Sequence, residues 1–300
     1  MFRLKKEWKR DWILYALSFL PVLYIFINNY IPMYGVLIAF KRFNSKLGIM
    51  KSPWVGFQHF ERFFNNSFFW PMLKNTLGLS LYGLVFGFTI PIIFALMLNY
   101  LQFKKLKKTV QMVSYAPHFL STVIVCSMIT LFMGRDGIFS TFRTLLGMER
   151  VNFLTVPEWF NDIYVWSGIW QGMGWSAIIY MSALAGVDPS LHEAAIIDGA
   201  TKIQRMRYVD LPSIKPTIVM LLILAVGGIM NVGFEKVYLL QNDLNYNSSV
   251  IISTYVYRVG LIDGNYSFSA AVGLLNNVVN VILLGSANMF SKKYLDESLF

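Results

Sequence analysis

Charge is scarce in this chain. Asp, Glu, Lys and Arg make up 14% of 300 residues. None occurs from Trp12 to Phe40, Asn75 to Asn99, Gln111 to Met133, Ile163 to Val187, Pro216 to Phe234 or Ser269 to Phe290. Uncharged apolar runs of about 20 residues have the length that crosses a hydrocarbon core, so a single soluble domain is excluded. Cysteine is nearly absent as well. Cys126 stands alone inside an apolar run, which rules out an intrachain disulfide and favours a small buried hydrophobe over a reactive thiol. The three histidines (His59, His118 and His192) are far apart, no metal-ligand spacing occurs, and no metal site is expected. No clustered acids or histidines flank the runs, so no catalytic residue is assigned and a membrane-embedded transferase is disfavoured.

Two further absences concern energy. Ion-coupled transporters often hold an ionisable residue near the midplane, and here His118 is the only histidine inside a run. The phosphate-cradling G-x-x-x-x-G-K-[ST] is missing too, so no P-loop nucleotide site is expected. The formal net charge of +10 would suit nucleic acid only as a continuous basic patch on a soluble domain. Lys and Arg instead sit beside the apolar runs, as they do in cytoplasmic loops, so a membrane partner is expected and no nucleic acid.

What is present is an all-α pattern of six spans, near 12–38, 75–99, 111–133, 163–187, 214–234 and 269–290. The basic head at residues 3–10 leads into an apolar run too long for a signal peptide, and an uncleaved first span is expected. That span should kink near Asn28-Asn29, ahead of Pro32. Val55 to Phe60 opens a short aromatic interfacial helix. Basic residues lie more densely on the side that holds both ends, which places the termini in the cytoplasm.

One stretch breaks the pattern. Asp188, Glu193, Asp198, Lys202, Arg205, Arg207, Asp210 and Lys215 put eight charges between two spans. Each would cost roughly 2.5–3.5 kcal/mol at the bilayer centre, on the order of 20 kcal/mol together, so the stretch lies outside lipid. Asp188 reads as a helix N-cap and Pro189 as the first helical position. Gly199 reads as the C′ stop, and Thr201 with Gln204 as a capping box opening a second helix. Leu211-Pro212 should end that helix before the fifth span. The expectation is a helix–Gly–helix elbow at the membrane surface.

The residues of this elbow carry a resemblance. Glu193-Ala194-Ala195, Gly199, Val209 and Leu211-Pro212 match the cytoplasmic motif of ATP-driven (ABC-type) importer permeases, with Val209 where that family usually has Ile. Asn29 to Gly35, Trp54 to Phe57, Tyr115 to Phe119, Asn231 to Glu235 and Thr254 to Arg258 extend it over nearly the whole chain. Together they resemble the polysaccharide and complex-carbohydrate permeases of the LplB type, within the maltose-type permease superfamily. The resemblance implies a type I ABC importer (MetI-like) permease fold with six transmembrane helices. Its parts would be residues 1–70 (cytoplasmic head, first span, outer loop), 71–291 (permease core with the coupling elbow at 188–212) and 292–300 (cytoplasmic tail). It also implies a multi-pass protein of the bacterial cell membrane. Its partners would be a second homologous permease subunit, an ABC ATPase pair holding ATP and Mg, and an extracellular solute-binding (lipo)protein delivering an oligosaccharide. No cofactor is expected in this chain. Carried over, Glu193, Ala194, Ala195, Asp198, Gly199, Leu211 and Pro212 would couple to the ATPase.

Neutral polar and aromatic side chains within the spans are candidates for the substrate path. Trp170 and Tyr180 fall on a stripe with Trp166, Met173 and Ala177. Gly227, Asn231 and Glu235 are spaced i, i+4, i+8 on the fifth span. On the sixth span Gly273, Asn277 and Asn280 share a face, with Asn276 beside them. Amides near aromatic rings suit a neutral sugar. The same residues could instead pack helices or anchor the interface. Importers of non-sugar solutes such as peptides, and self-sufficient secondary transporters or channels, stay open as alternatives.

Overall fold

The computed structural model describes residues 2–294, with side chains from Asp11 onward. The basic head's side chains and the end of the expected 292–300 tail lie outside what is described. The regular structure of the described residues is helical. Among the described residues its one β pairing is an isolated bridge between Lys41 and Trp54. Two compact units form, Met1–Asn66 with Val256–Leu275, and Ser67–Tyr255 with Asn276–Phe300.

In the first unit, α1 (Phe2–Ile25) widens into a π turn at Phe26–Tyr30 and then tightens to a 3-10 helix over Ile31–Phe40. Pro32 has no N–H to offer the carbonyl four residues back, and the register slips: the Ile31 N–H reaches Phe26 O. Asn28 Nδ2 donates to Tyr24 O at 2.9 Å, so the amide compensates the disturbed ladder. The expected kink at Asn28-Asn29 thus falls inside the π turn. After the span, Phe40 stacks on Trp54 and meets Phe57 and Phe60. The aromatic helix α2 (Gln58–Phe64) follows.

The second unit is built on α3 (Phe69–Asn99) against α6 (Phe160–Ala185). Small residues let the two backbones approach. Ala95 and Ala177 are fully buried, packed with Ile92, Tyr180, Leu184 and Ile214. Nearer the other end, Leu79, Val125, Ile129, Ile163, Ile169 and Val237 form a second cluster. In chain order, α4 (Lys104–Tyr115) and α5 (Thr122–Met133) connect α3 to α6.

Three expectations need correction here. The third span, expected over 111–133 with Pro117 near its start, is interrupted by a 3-10 turn at Ala116–Phe119. Pro117 removes a donor and Leu120 is extended, after which Ser121 caps α5 by accepting from the Ile124 N–H. The fifth span, expected over 214–234, stops as α9 (Lys215–Gly227). Its chain unwinds at Gly228 and resumes as α10 (Phe234–Leu240), because adjacent glycines hold a helix weakly. The six-span count is not reproduced by length and apolarity. Asp11–Phe40, Phe69–Asn99, Thr122–Leu145 and Tyr266–Tyr294 qualify, and Lys202–Ser213 with Lys215–Gly227 makes a fifth if that 64° bend is one span. Although α6 has 26 residues, about 39 Å of helix, its Asp162, Gln171, serines and glycines dilute its apolarity. The last helix, α11 (Tyr266–Tyr294), is continuous.

Candidate functional site

The elbow forms as its residues dictate. It begins with α7 (Pro189–Ile197), where Asp188 Oδ1 accepts from the Ser190 N–H at 2.9 Å. That bond holds the Asp188 carboxyl below the ordinary carboxylate range. At the far end the Ala200 N–H donates to Ala195 O and the Gly199 N–H to Ile196 O, a Schellman closure that requires the left-handed backbone Gly199 supplies at φ +77°. Thr201 and Gln204 form the reciprocal capping box that opens α8 (Lys202–Arg205). Past α8 the helix passes through a π turn at Met206–Asp210 and ends at Ser213, one residue beyond the expected stop at Leu211-Pro212 and ahead of α9. As at Pro32, a missing proline N–H is absorbed by one wider turn. The chain bends at Ile214.

On this elbow Glu193, Ala194, Asp198, Gly199, Leu211 and Pro212 are exposed and Ala195 is half-buried. Ile197 is 85% exposed, beside exposed Leu191 and Ile196. An apolar tip on a rigid, doubly capped helix is costly in water and suits a covered surface.

The elbow is fastened from behind. Asp210 is 0% exposed, and Tyr100, just past α3, donates its hydroxyl to Asp210 Oδ2 at 2.6 Å. His192 Nε2 of α7 lies 3.2 Å from Asp210 Oδ1 but off the hydrogen-bond line, since that oxygen has no well-formed partner. Tyr100 is therefore the carboxylate's one well-formed hydrogen-bond donor among the described residues. Burial, then the Asp210 bond, pushes the Tyr100 phenol up, so it stays a neutral donor. The Arg205 guanidinium covers the Tyr100 ring at 5.4 Å. Sequence reading missed this clasp: 110 residues separate its two ends, and the one available signal was an acid and a histidine on the same charged stretch.

A groove with little side-chain wall runs between α3 and α6. One cavity of about 360 Å³ includes Gly83, Gly87, Tyr164 and Asn231 in its lining. Another, of about 250 Å³, shares Gly83, Gly87 and Tyr164 and adds Gly168, Gln171, Gly172 and Lys236. A Cβ added at Gly83, Gly87 or Gly172 would meet open space, so these glycines widen the groove rather than allow close packing.

The predicted path residues divide. Asn231 Oδ1 accepts from Asn276 Nδ2 at 3.1 Å and Asn280 Nδ2 at 3.2 Å. Asn280 Oδ1 accepts from the Met230 N–H at 3.2 Å, which satisfies the unwound backbone after α9. Asn276 Oδ1 is buried with no hydrogen-bond partner. Asn277 is exposed and apart from this trio. Because α9 ends at Gly227, Gly227, Asn231 and Glu235 do not form one helical stripe: Asn231 sits in the unwound turn and Glu235 is exposed on α10. Trp170 lines an apolar cavity of about 370 Å³ with Val125, Met128 and Trp166. Tyr180 is buried in the apolar cluster at the α3–α6 contact and lines none of these cavities. Sequence reading missed Tyr82, whose hydroxyl donates to Asp162 at 2.6 Å and accepts from Trp166 Nε1 at 3.0 Å. Among the described residues no group of His, Cys, Asp and Glu could hold a metal ion.

Comparison with known proteins agrees with this geometry. Protein LplB of Bacillus subtilis is 44% identical over 293 residues, 97% of this chain and 92% of that one. The polygalacturonan/rhamnogalacturonan transport system permease protein YteP of the same organism is 42% identical over 288 residues, 96% of this chain and 90% of its own. A chain from the crystal structure of a bacterial ABC transporter involved in import of the acidic polysaccharide alginate superposes with a TM-score of 0.90 at 40% identity, covering 97% of this chain and 99% of that one. A chain from that type of transporter in complex with an alginate pentasaccharide-bound periplasmic protein gives 0.91 at 39% identity, covering 99% and 100%. Residues 87–296 match the family profile itself, and the chain belongs to the family of binding-protein-dependent transport system inner membrane components.

Proposed function

We propose that this chain is the permease subunit of an ATP-driven importer of oligosaccharides or polysaccharide fragments. It works beside a second homologous permease subunit, an ABC ATPase pair that holds ATP and Mg, and an extracellular solute-binding protein or lipoprotein. Both termini and the elbow face the cytoplasm. The observation that carries the reading is the elbow: a doubly capped helix with an exposed Glu193-Ala194 edge and apolar tip, on a chain with no P-loop of its own. Relatives that span nearly the whole chain bear carbohydrate-transport names, which supports the substrate class.

In this reading the ATPase grips α7, and Glu193, Ala194, Ala195, Asp198, Gly199, Leu211 and Pro212 form or shape the contact. Nucleotide-driven closure drags the elbow. The clasp at Asp210 passes the movement to α3, and the bend at Ile214 passes it to α9. The groove beside Asn231, Asn276 and Asn280 then opens alternately to the two sides. The chain performs no covalent chemistry. A Glu193→Ala/Gly199→Ala double variant, reconstituted with the cognate partners, should insert and assemble yet lose most ATP-driven uptake. Full uptake with unaltered ATP consumption per solute would sink the proposal.

A further inference from the structure

Lys236 is an anomaly in a groove otherwise lined by neutral groups. Its side chain is 8% exposed, and it lines the cavity with Gly168, Gln171 and Gly172. Nζ donates to Tyr164 O at 2.8 Å and lies 4.9 Å from the centre of the Tyr164 ring. An ammonium has three N–H donors, so two are left. Among the described residues no carboxylate forms an ion pair with it; the neighbouring acid, Glu235, is exposed. Holding the Tyr164 carbonyl needs only a neutral amide. Burying an unpaired cation is costly, and the expense is intelligible where an anion arrives to meet it.

We propose that Lys236 receives the carboxylate of an anionic sugar residue in the groove, so that the transported class is uronate-containing oligosaccharides. The inference rests on the carrier reading above. Its geometry suits one compact negative charge: a single ammonium at the wall, with Gln171 and Ser176 nearby for hydroxyls and bare glycine backbone for a sugar ring to pass. Charge state agrees. Burial pushes the Lys236 ammonium down to about 8, so it is mostly protonated at neutral pH and loses its charge a little above. The titratable groups around it are Tyr164 from α6, Cys126 from α5 and Glu235 on its own helix.

The test uses the full complex, with its second permease, ATPase and receptor, in proteoliposomes, and trigalacturonate as the anionic probe. Lys236→Gln keeps a donor for Tyr164 O and removes the charge; ATP-driven uptake of trigalacturonate should fall about tenfold or more. Lys236→Arg should retain most of it and should also abolish a decline that the wild type shows as pH rises through about 8. If Lys236→Gln does not assemble, Lys236→Met serves, because it keeps the length of the side chain and removes the charge. Uptake of trigalacturonate by either variant at the wild-type rate overturns the assignment. Wild-type uptake confined to neutral oligosaccharides such as maltotriose overturns it as well and leaves the carrier reading standing. ATP-driven uptake of no oligosaccharide at all overturns that reading, and this one with it.

Discussion

Tyr100→Phe isolates the clasp behind the elbow. The substitution keeps the ring under Arg205 and deletes only the hydroxyl that donates to Asp210 at 2.6 Å. Asp210 is 0% exposed, so water does not replace the lost donor, and the His192 contact is misaligned for doing so. A hydrogen bond to a charged acceptor is worth about 1.5–3 kcal/mol, and leaving a buried carboxylate unsatisfied costs at least as much. At about 1.4 kcal/mol per tenfold, the population in which the elbow opens away from α3 should rise about 10- to 100-fold. Backbone hydrogen exchange reads that population directly. Amides of α7 and α8 should exchange faster by this factor in the variant, while those of α3 before Pro91 stay unchanged. In reconstituted complexes more ATP should be consumed per solute moved. Exchange across 189–213 within about twofold of wild type would refute the argument, since the hydroxyl would then not be holding the elbow.

Other outcomes follow from single positions. Gly199→Ala forces a Cβ into the left-handed region at φ +77°, about 1 kcal/mol, and should speed exchange of the Ala200 amide about fivefold; an unchanged rate would count against the Schellman closure. Gly174→Ala drives a methyl into the Ser114 backbone carbonyl, whereas Gly227→Ala meets only the Leu284 side chain. Overpacking of about 1–3 kcal/mol should therefore lower the thermal midpoint of the purified complex far more for Gly174→Ala, and equal effects would contradict the backbone contact between α4 and α6. The Asp188 carboxyl is held low by the Ser190 N–H. Its contribution to α7 is thus complete above the ordinary value of 3.8 and fades as pH falls through the lower, folded one. Acid exchange profiles of α7 should show that fade in the wild type and not in Asp188→Asn.

What could be read from the sequence was mainly local. The caps of α7 and α8 depend on residues within four positions of one another, and Asp188, Gly199, Thr201 and Gln204 sit as their chemistry requires. Apolarity placed most of the spans but overstated their continuity. The pattern at 111–133 and 214–234 counts side chains, while Pro117 and Gly228 act on the backbone. The π turns at Phe26–Tyr30 and Met206–Asp210 show the converse. Pro32 was expected to go with a kink and Pro212 with a helix end, and in both places the helix absorbs the missing donor by widening for one turn, ending one residue after Pro212. Long-range pairs had no sequence signature: Tyr100 with Asp210 and Lys236 with Tyr164 emerge only once α3, α6 and α10 are packed. Tyr180 illustrates the remaining limit. Its spacing put it on a stripe with Trp170, but a stripe does not tell which of two neighbouring surfaces it faces.

The 64° bend at Ile214 has a mechanical consequence. Residues 202–213 and 215–227 form two arms of about 18 and about 20 Å at 1.5 Å per residue. Ile214 itself is 1% exposed, wedged among Ile92, Ala95 and Leu184, which makes it a fulcrum rather than a free hinge. A bell crank with nearly equal arms has a mechanical advantage close to one. In the proposed carrier, a stroke of a few ångströms at the outer tip would be redirected through the bend and delivered at Gly227 with nearly the same length and force. Lengthening either arm by one helical turn would change that ratio by about a quarter, turning an even transmission into one that trades stroke for force.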